Sequence, residues 1–277
     1  MPFAELPLLP RRPVIRSLMS ALLLGVSLLG IYGLPVGGAR AAEHERQQYV
    51  ELRTYHLRSA TEWPEVDAYL EKGLLPALKR QGIGAVGVFS DKTPEGAPNA
   101  YLLIPFDSIA QFAAMQEKLD ADKKYQSAAE AYFHTTAKRP RFSRIESELM
   151  LSFQAFPRAV VPELRKQGKP RLFELRSYES HSERMGALKV EMFNSGEVPI
   201  FLDCGVQPVF MGRVISGPKM PNLTYMTVYA DDEALKQAWD RFRDHPDWQT
   251  LKAVEKYKGT VSKIHKVLLS PRPYSAF

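Results

Sequence analysis

The pentapeptide Glu-Leu-Arg-Thr-Tyr at residues 51–55 returns as Glu-Leu-Arg-Ser-Tyr at residues 174–178, an offset of 123. The same offset carries Pro76 onto Pro199, Gly82 onto Gly205, Pro98 onto Pro221, Asn99 onto Asn222 and Tyr125-Gln126 onto Trp248-Gln249. So many matches at one fixed period mark an internal duplication. The constraint is severe: each element read in one half is expected again in the other.

Residues 49–56 alternate polar and apolar in the manner of a strand. Ser59 or Thr61 caps a helix reaching about Arg80, with Val66, Leu70, Leu74 and Leu78 on its apolar face, and Gly82 and Gly84 stop it. Strands are predicted over 83–89 and 100–106, on either side of a turn-rich stretch. Asp107 or Ser108 then caps one helix over 109 to about 133, and residues 144–153 form a fourth strand. The order β-α-β-β-α-β is the ferredoxin-like unit. After Pro157, Pro162, Gly168 and Pro170 the order restarts: strand 171–178, a helix from Ser182, strands 206–214 and 223–230, a helix capped by Asp231 or Asp232 and interrupted at Pro246, and strand 261–269. The expected organisation is one repeat over 49–153, a linker over 154–170 and a second repeat over 171–277. The expected fold class is α+β, two tandem ferredoxin-like repeats packing sheet to sheet as an eight-stranded barrel with helices outside.

These residues resemble the NIPSNAP family, within the dimeric α+β barrel superfamily. The resemblance rests on the doubled Glu-Leu-Arg-Thr/Ser-Tyr strand, on Ala238-Trp239-Asp240-Arg241-Phe242 with Asp244, Pro246, Asp247 and Trp248, and on Phe210-Met211-Gly212 and Pro221-Asn222-Leu223-Thr224-Tyr225. It spans both halves, and the second is the fuller match, since Tyr125 stands where the second half has Trp248. It implies the barrel fold and little chemistry. Related barrels include haem-handling enzymes that rely on a well-placed histidine, and no histidine of this chain is assigned that role.

Alternate strand residues face opposite sides. Glu51, Arg53 and Tyr55 therefore share a face, as do Glu174, Arg176 and Tyr178. The intervening apolar residues belong against the helices, so these six are expected to turn into the barrel. They then form either a self-neutralising polar seam, since buried charge persists when paired, or a pocket in which Arg53 or Arg176 holds an anion and a Tyr or Glu moves a proton. Those six residues are the candidate ligand-binding set. No catalytic residue is assigned.

Other features narrow the function. No histidine pair has metal-ligand spacing, so no metal or cofactor is expected, with haem as the lesser alternative. Glu146 and Glu148 share a face of the fourth strand, which an exposed strand edge explains as well as acid–base work does. Cys204 is the single cysteine, so no intrachain disulfide forms. Arg11, Arg12 and Arg16 precede an apolar run over 18–34 and Ala39-Arg40-Ala41, the layout of an export signal over residues 1–41, with Arg11-Arg12 resembling a twin-arginine type. Without that segment 33 basic residues face 30 acidic ones, too even a balance for nucleic acid. The expectation is an exported protein, periplasmic or extracellular, that touches a membrane only through an uncleaved signal. It binds a small molecule or a protein partner and is open to homodimer formation. The alternative is an enzyme of the superfamily's cofactor-independent or haem-dependent monooxygenase or isomerase type.

Overall fold

The structure, a computed structural model, describes residues 46–136 and 138–277; the expected export segment lies outside them. The first repeat runs β1 (Tyr49–His56), α1 (Trp63–Ala68), a π-helical turn (Tyr69–Leu74), α2 (Leu75–Arg80), β2 (Gly87–Asp91), β3 (Asn99–Phe106), α3 (Ile109–Ala121), α4 (Lys123–Phe133) and β4 (Arg144–Ser152). A short helix, α5 (Glu163–Lys166), lies in the connection. The second repeat runs β5 (Leu172–Glu179), α6 (Glu183–Met192), a π-helical turn (Phe193–Glu197), α7 (Val198–Asp203), β6 (Gln207–Ser216), β7 (Asn222–Tyr229), α8 (Asp232–Asp244), α9 (Pro246–Ala253) and β8 (Lys263–Pro271).

Local chemistry sets the boundaries. Ser108, Ser182 and Asp231 each accept a hydrogen bond from the backbone N–H three residues on, capping α3, α6 and α8. The single helix expected over 109 to 133 is two. Asp122 accepts from Lys124 N and Tyr125 N at 2.9 and 3.0 Å and so begins α4, at the point equivalent to the break before Pro246. The second strand begins later than expected, at Gly87, and runs on to Asp91.

The eight strands close into one barrel in the order β1-β3-β2-β8-β5-β7-β6-β4. Every pairing is antiparallel, and the repeats join at β2–β8 and β4–β6. Glu146 and Glu148 lie opposite Thr54 and Leu52 of β1, and the β4–β6 register begins after them, at Leu149.

Closure also decides which face is which, against expectation. Val50 and Leu52 join Leu103, Met150, Phe173, Leu175, Phe210 and Met226 in one cluster that all eight strands supply, and this cluster fills the lumen. Tyr55 instead packs with Val66, Leu70 and Tyr69 under the first repeat's helices, and Tyr178 with Phe193, Phe201 and Trp239 under the second's. Glu51, Arg53, Tyr55, Glu174, Arg176 and Tyr178 thus face outward, in two separate sites. The physical reason is convergence. Inward rows of eight strands meet around one axis, where apolar packing is densest, whereas the helix-covered face offers side chains that can pair with a buried charge.

Candidate functional site

In the second repeat, Glu174, Arg176 and Tyr178 line a cleft of about 540 Å³ between the outer face of the sheet and the helices. β5 presents the three side chains, α8 brings Trp239 and Phe242, α6 brings Lys189, the π-helical turn ends in Glu197, and α9 brings Trp248. Glu174 is buried and doubly held. Arg176 Nη1 donates to its Oε1 at 3.0 Å, and the Trp239 indole N–H donates to its Oε2 at 2.7 Å. The Arg176 guanidinium lies 4.3 Å from the centroid of the Trp239 ring, and its Nε donates to the Tyr178 hydroxyl at 3.2 Å. That hydroxyl shares a further hydrogen bond, 2.8 Å, with the hydroxyl of Tyr225 on β7.

Electrostatics fixes the charge states. Burial acts to lower the Arg176 pKa, but Tyr225, Tyr178 and Glu174 outweigh it, so the guanidinium stays charged. Burial raises both Tyr178 and Tyr225, which remain protonated donors. Deeper in, Lys189 Nζ donates to Glu197 Oε2 at 2.6 Å, an ion pair almost wholly out of water. Burial raises the Glu197 carboxyl against the pull of that ammonium. Lys189 also lies 4.6 Å from the centroid of the Phe193 ring. The cleft is therefore aromatic in its walls, and at its rim stand Lys236 and Arg243, both paired with Asp240, and Lys266.

The first repeat keeps the same strand but fills the space beneath it. Arg53 Nε and Nη2 donate to both oxygens of Glu51 at 2.8 and 3.0 Å, and Ser147 Oγ donates to Glu51 at 2.8 Å where the second repeat uses Trp239. Tyr69 stacks on Tyr132 with centroids 3.8 Å apart and shares a 2.9 Å hydrogen bond with Tyr125. At the 123-residue offset Lys189 and Glu197 replace Val66 and Leu74, both fully buried. The six candidate residues are thus brought together three by three, and the structure adds Lys189, Glu197, Tyr225, Trp239 and Trp248 to the second trio. The signal for two of these was present in the sequence, as charged residues in one copy at apolar positions of the other.

No histidine, cysteine or methionine lines the cleft, so these residues do not fit a haem held by an axial imidazole or sulfur ligand. Among the described residues no group of three or more His, Cys, Asp or Glu side chains could hold a metal ion, and no helix is long and apolar enough to cross a membrane. Cys204 is buried, and burial pushes its thiol up.

A family model described as NIPSNAP matches residues 50–154 and 173–276. Among solved structures, a candidate monooxygenase from Fusobacterium nucleatum superposes with a TM-score of 0.55 at 8% identity, over 82% of this chain and 93% of that one. A candidate monooxygenase from Lactobacillus acidophilus does so with a TM-score of 0.53 at 12% identity, over 82% and 94%. An uncharacterized NIPSNAP-like domain protein from Burkholderia xenovorans matches at 16% identity and a TM-score of 0.35, over 38% of this chain and 88% of its own. No curated protein matches. The monooxygenase-like neighbours share the fold, a dimeric α+β barrel here joined in one chain.

Proposed function

The chain belongs to the NIPSNAP family, and from that premise we propose that its second repeat binds a small, flat aromatic molecule carrying an anionic group. One observation carries the reading: the cleft of about 540 Å³, with Arg176 stacked on Trp239, lies where the first repeat has a stack of tyrosines. Its volume falls in the ordinary range for small-molecule sites, roughly 300–1,000 Å³. Trp239, Phe242 and Trp248 suit the face of a ring, while Arg176, Lys266 and, beside their partner Asp240, Lys236 and Arg243 suit a carboxylate or sulfonate.

Titration with 1-hydroxy-2-naphthoate, followed by quenching of tryptophan fluorescence, tests this. Saturable binding is expected, weakened at least tenfold in both Arg176→Met and the rim variant Arg243→Gln and unchanged in Arg53→Met. Equal weakening by Arg53→Met, or binding indifferent to Arg176 and Arg243, rules the reading out.

A second reading is catalytic. The two candidate monooxygenases superposing on most of the chain favour it, together with the protonated Tyr178–Tyr225 pair at the cleft. Oxygen consumption with a naphthohydroquinone, lost in Tyr178→Phe while binding persists, is its expected sign. We also read the protein as exported, on residues 1–41 alone; N-terminal sequencing of the protein from its own host, beginning after Ala41, is the expected result.

A further inference from the structure

The ends of the barrel lumen differ in chemistry. At one end Phe277, 1% exposed, packs into the lumen cluster. Arg171 Nε and Nη2 hold its carbonyl oxygen at 3.0 and 2.8 Å. Gly87 leaves room for the Phe89 and Phe277 rings, which a Cβ there would approach to 2.6 and 3.1 Å. At the other end, where β1 and β5 finish, a cavity of about 220 Å³ opens over a floor that includes Leu52, Leu175 and Val267.

Two histidine–glutamate pairs flank that mouth in swapped order. His56 Nε2 lies 3.2 Å from Glu146 Oε2, and His265 Nε2 lies 2.5 Å from Glu179 Oε1. His56 on β1 is the counterpart of Glu179 on β5, while Glu146 and His265 hold like places opposite Thr54 and Ser177. Arg144 also holds Glu146, at 2.8 Å. These carboxylates therefore have close nitrogen partners.

Glu148, one turn of the pleat deeper, is different. It is half-buried in the cavity wall, and its hydrogen bond is a long one, 3.4 Å, from the Thr224 hydroxyl. Among the described residues no Lys, Arg or His nitrogen comes within ion-pair distance of it, although Lys219 and Lys266 line the same cavity and Lys219 acts on it from further away. Beside it, Ser177 and Thr224 hold their hydroxyls 3.1 Å apart. Asn222 stands behind Ser177, 4% exposed. It donates its Nδ2 to Ser177 Oγ at 3.1 Å, and its Oδ1 has no partner. A carboxylate without a cation at ion-pair distance and two hydroxyl oxygens line one wall above an apolar floor, with the buried Asn222 amide behind them. An alkylammonium supplies the missing charge and three N–H donors, and its hydrocarbon body matches the floor.

We propose that the lumen mouth is a second binding site, for a small primary amine whose ammonium pairs with Glu148. It stands on the lumen alone and is independent of the second-repeat cleft.

Benzylamine and its neutral isostere benzyl alcohol, titrated into the purified protein by calorimetry and methyl NMR, test it. Benzylamine is expected to bind saturably and shift the methyls of Leu52, Leu175 and Val267, with benzyl alcohol at least tenfold weaker. Glu148→Gln should weaken benzylamine at least tenfold and leave benzyl alcohol unchanged, and Thr54→Phe, which narrows the mouth without changing charge, should weaken both. Equal binding of the two probes, no binding of either, undiminished benzylamine binding in Glu148→Gln, or shifts confined to the Trp239 cleft would each overturn the proposal.

Discussion

Glu174 shows what one buried carboxylate demands. Two donors from different elements hold it, Arg176 from its own strand and Trp239 from α8. Removing the indole leaves a buried charged acceptor short of a partner, a loss of about 1–3 kcal/mol. Trp239→Phe keeps an aromatic wall, so chemical denaturation should read that loss rather than a cavity. Glu148 makes the opposite kind of statement. Burial raises its carboxyl above the ordinary 4.5, with Lys219 opposing. A raised carboxyl contributes stability that is fully present below the unfolded value and is lost as pH rises through the folded one. Glu148→Gln cannot titrate, so the urea midpoint of the variant should gain on that of the parent between pH 4 and pH 7. A midpoint difference flat across that range would show that burial does not govern this group.

At the scale of elements, the paired π-helical turns are the informative feature. Both repeats carry one at the same place, Tyr69–Leu74 and Phe193–Glu197, and such turns often mark functional positions. In the second repeat the helix and its turn present Lys189 and Glu197 as a buried ion pair; in the first the equivalent positions are Val66 and Leu74, in an apolar core. Breaking such a pair strands a charge, whereas replacing both members by apolar residues is often neutral. Lys189→Met alone is therefore expected to cost about 3–5 kcal/mol in urea unfolding. Lys189→Val with Glu197→Leu, copying the first repeat, should recover most of it while abolishing naphthoate binding. Equal losses in the single and double variants would sink that account. The caps at Ser108, Ser182 and Asp231 were legible because side chain and partner lie three residues apart. Lys189 and Glu197 stood out only as charges at apolar positions of the first copy; their pairing was not legible, since they are eight apart and off the spacing that marks helical pairs.

At the scale of the whole molecule, closure removes every free edge: β2 meets β8 and β4 meets β6, so neither repeat has a sheet of its own to keep. The lumen cluster likewise draws on all eight strands. Unfolding should therefore be one transition, with Trp63 of the first repeat and Trp239 and Trp248 of the second reporting the same midpoint. Separate midpoints in single-tryptophan variants would mean that the repeats are independent.

Duplication, element order and the sharing of a face by Glu51, Arg53 and Tyr55 followed from the sequence alone, because period, capping and strand alternation are local properties of the chain. Which way that face pointed did not. Alternation sorts side chains into two sets and is silent on which set meets the lumen. Only closure of the barrel decided it, by bringing eight inward rows to one axis and making the lumen the place for Val50, Leu52, Phe173 and Leu175. The same closure set Glu146 and Glu148, which precede the β4–β6 ladder, in the lining of a cavity. It also left the repeated polar trio under the helices, where one copy is packed shut by tyrosines and the other opens beside Trp239.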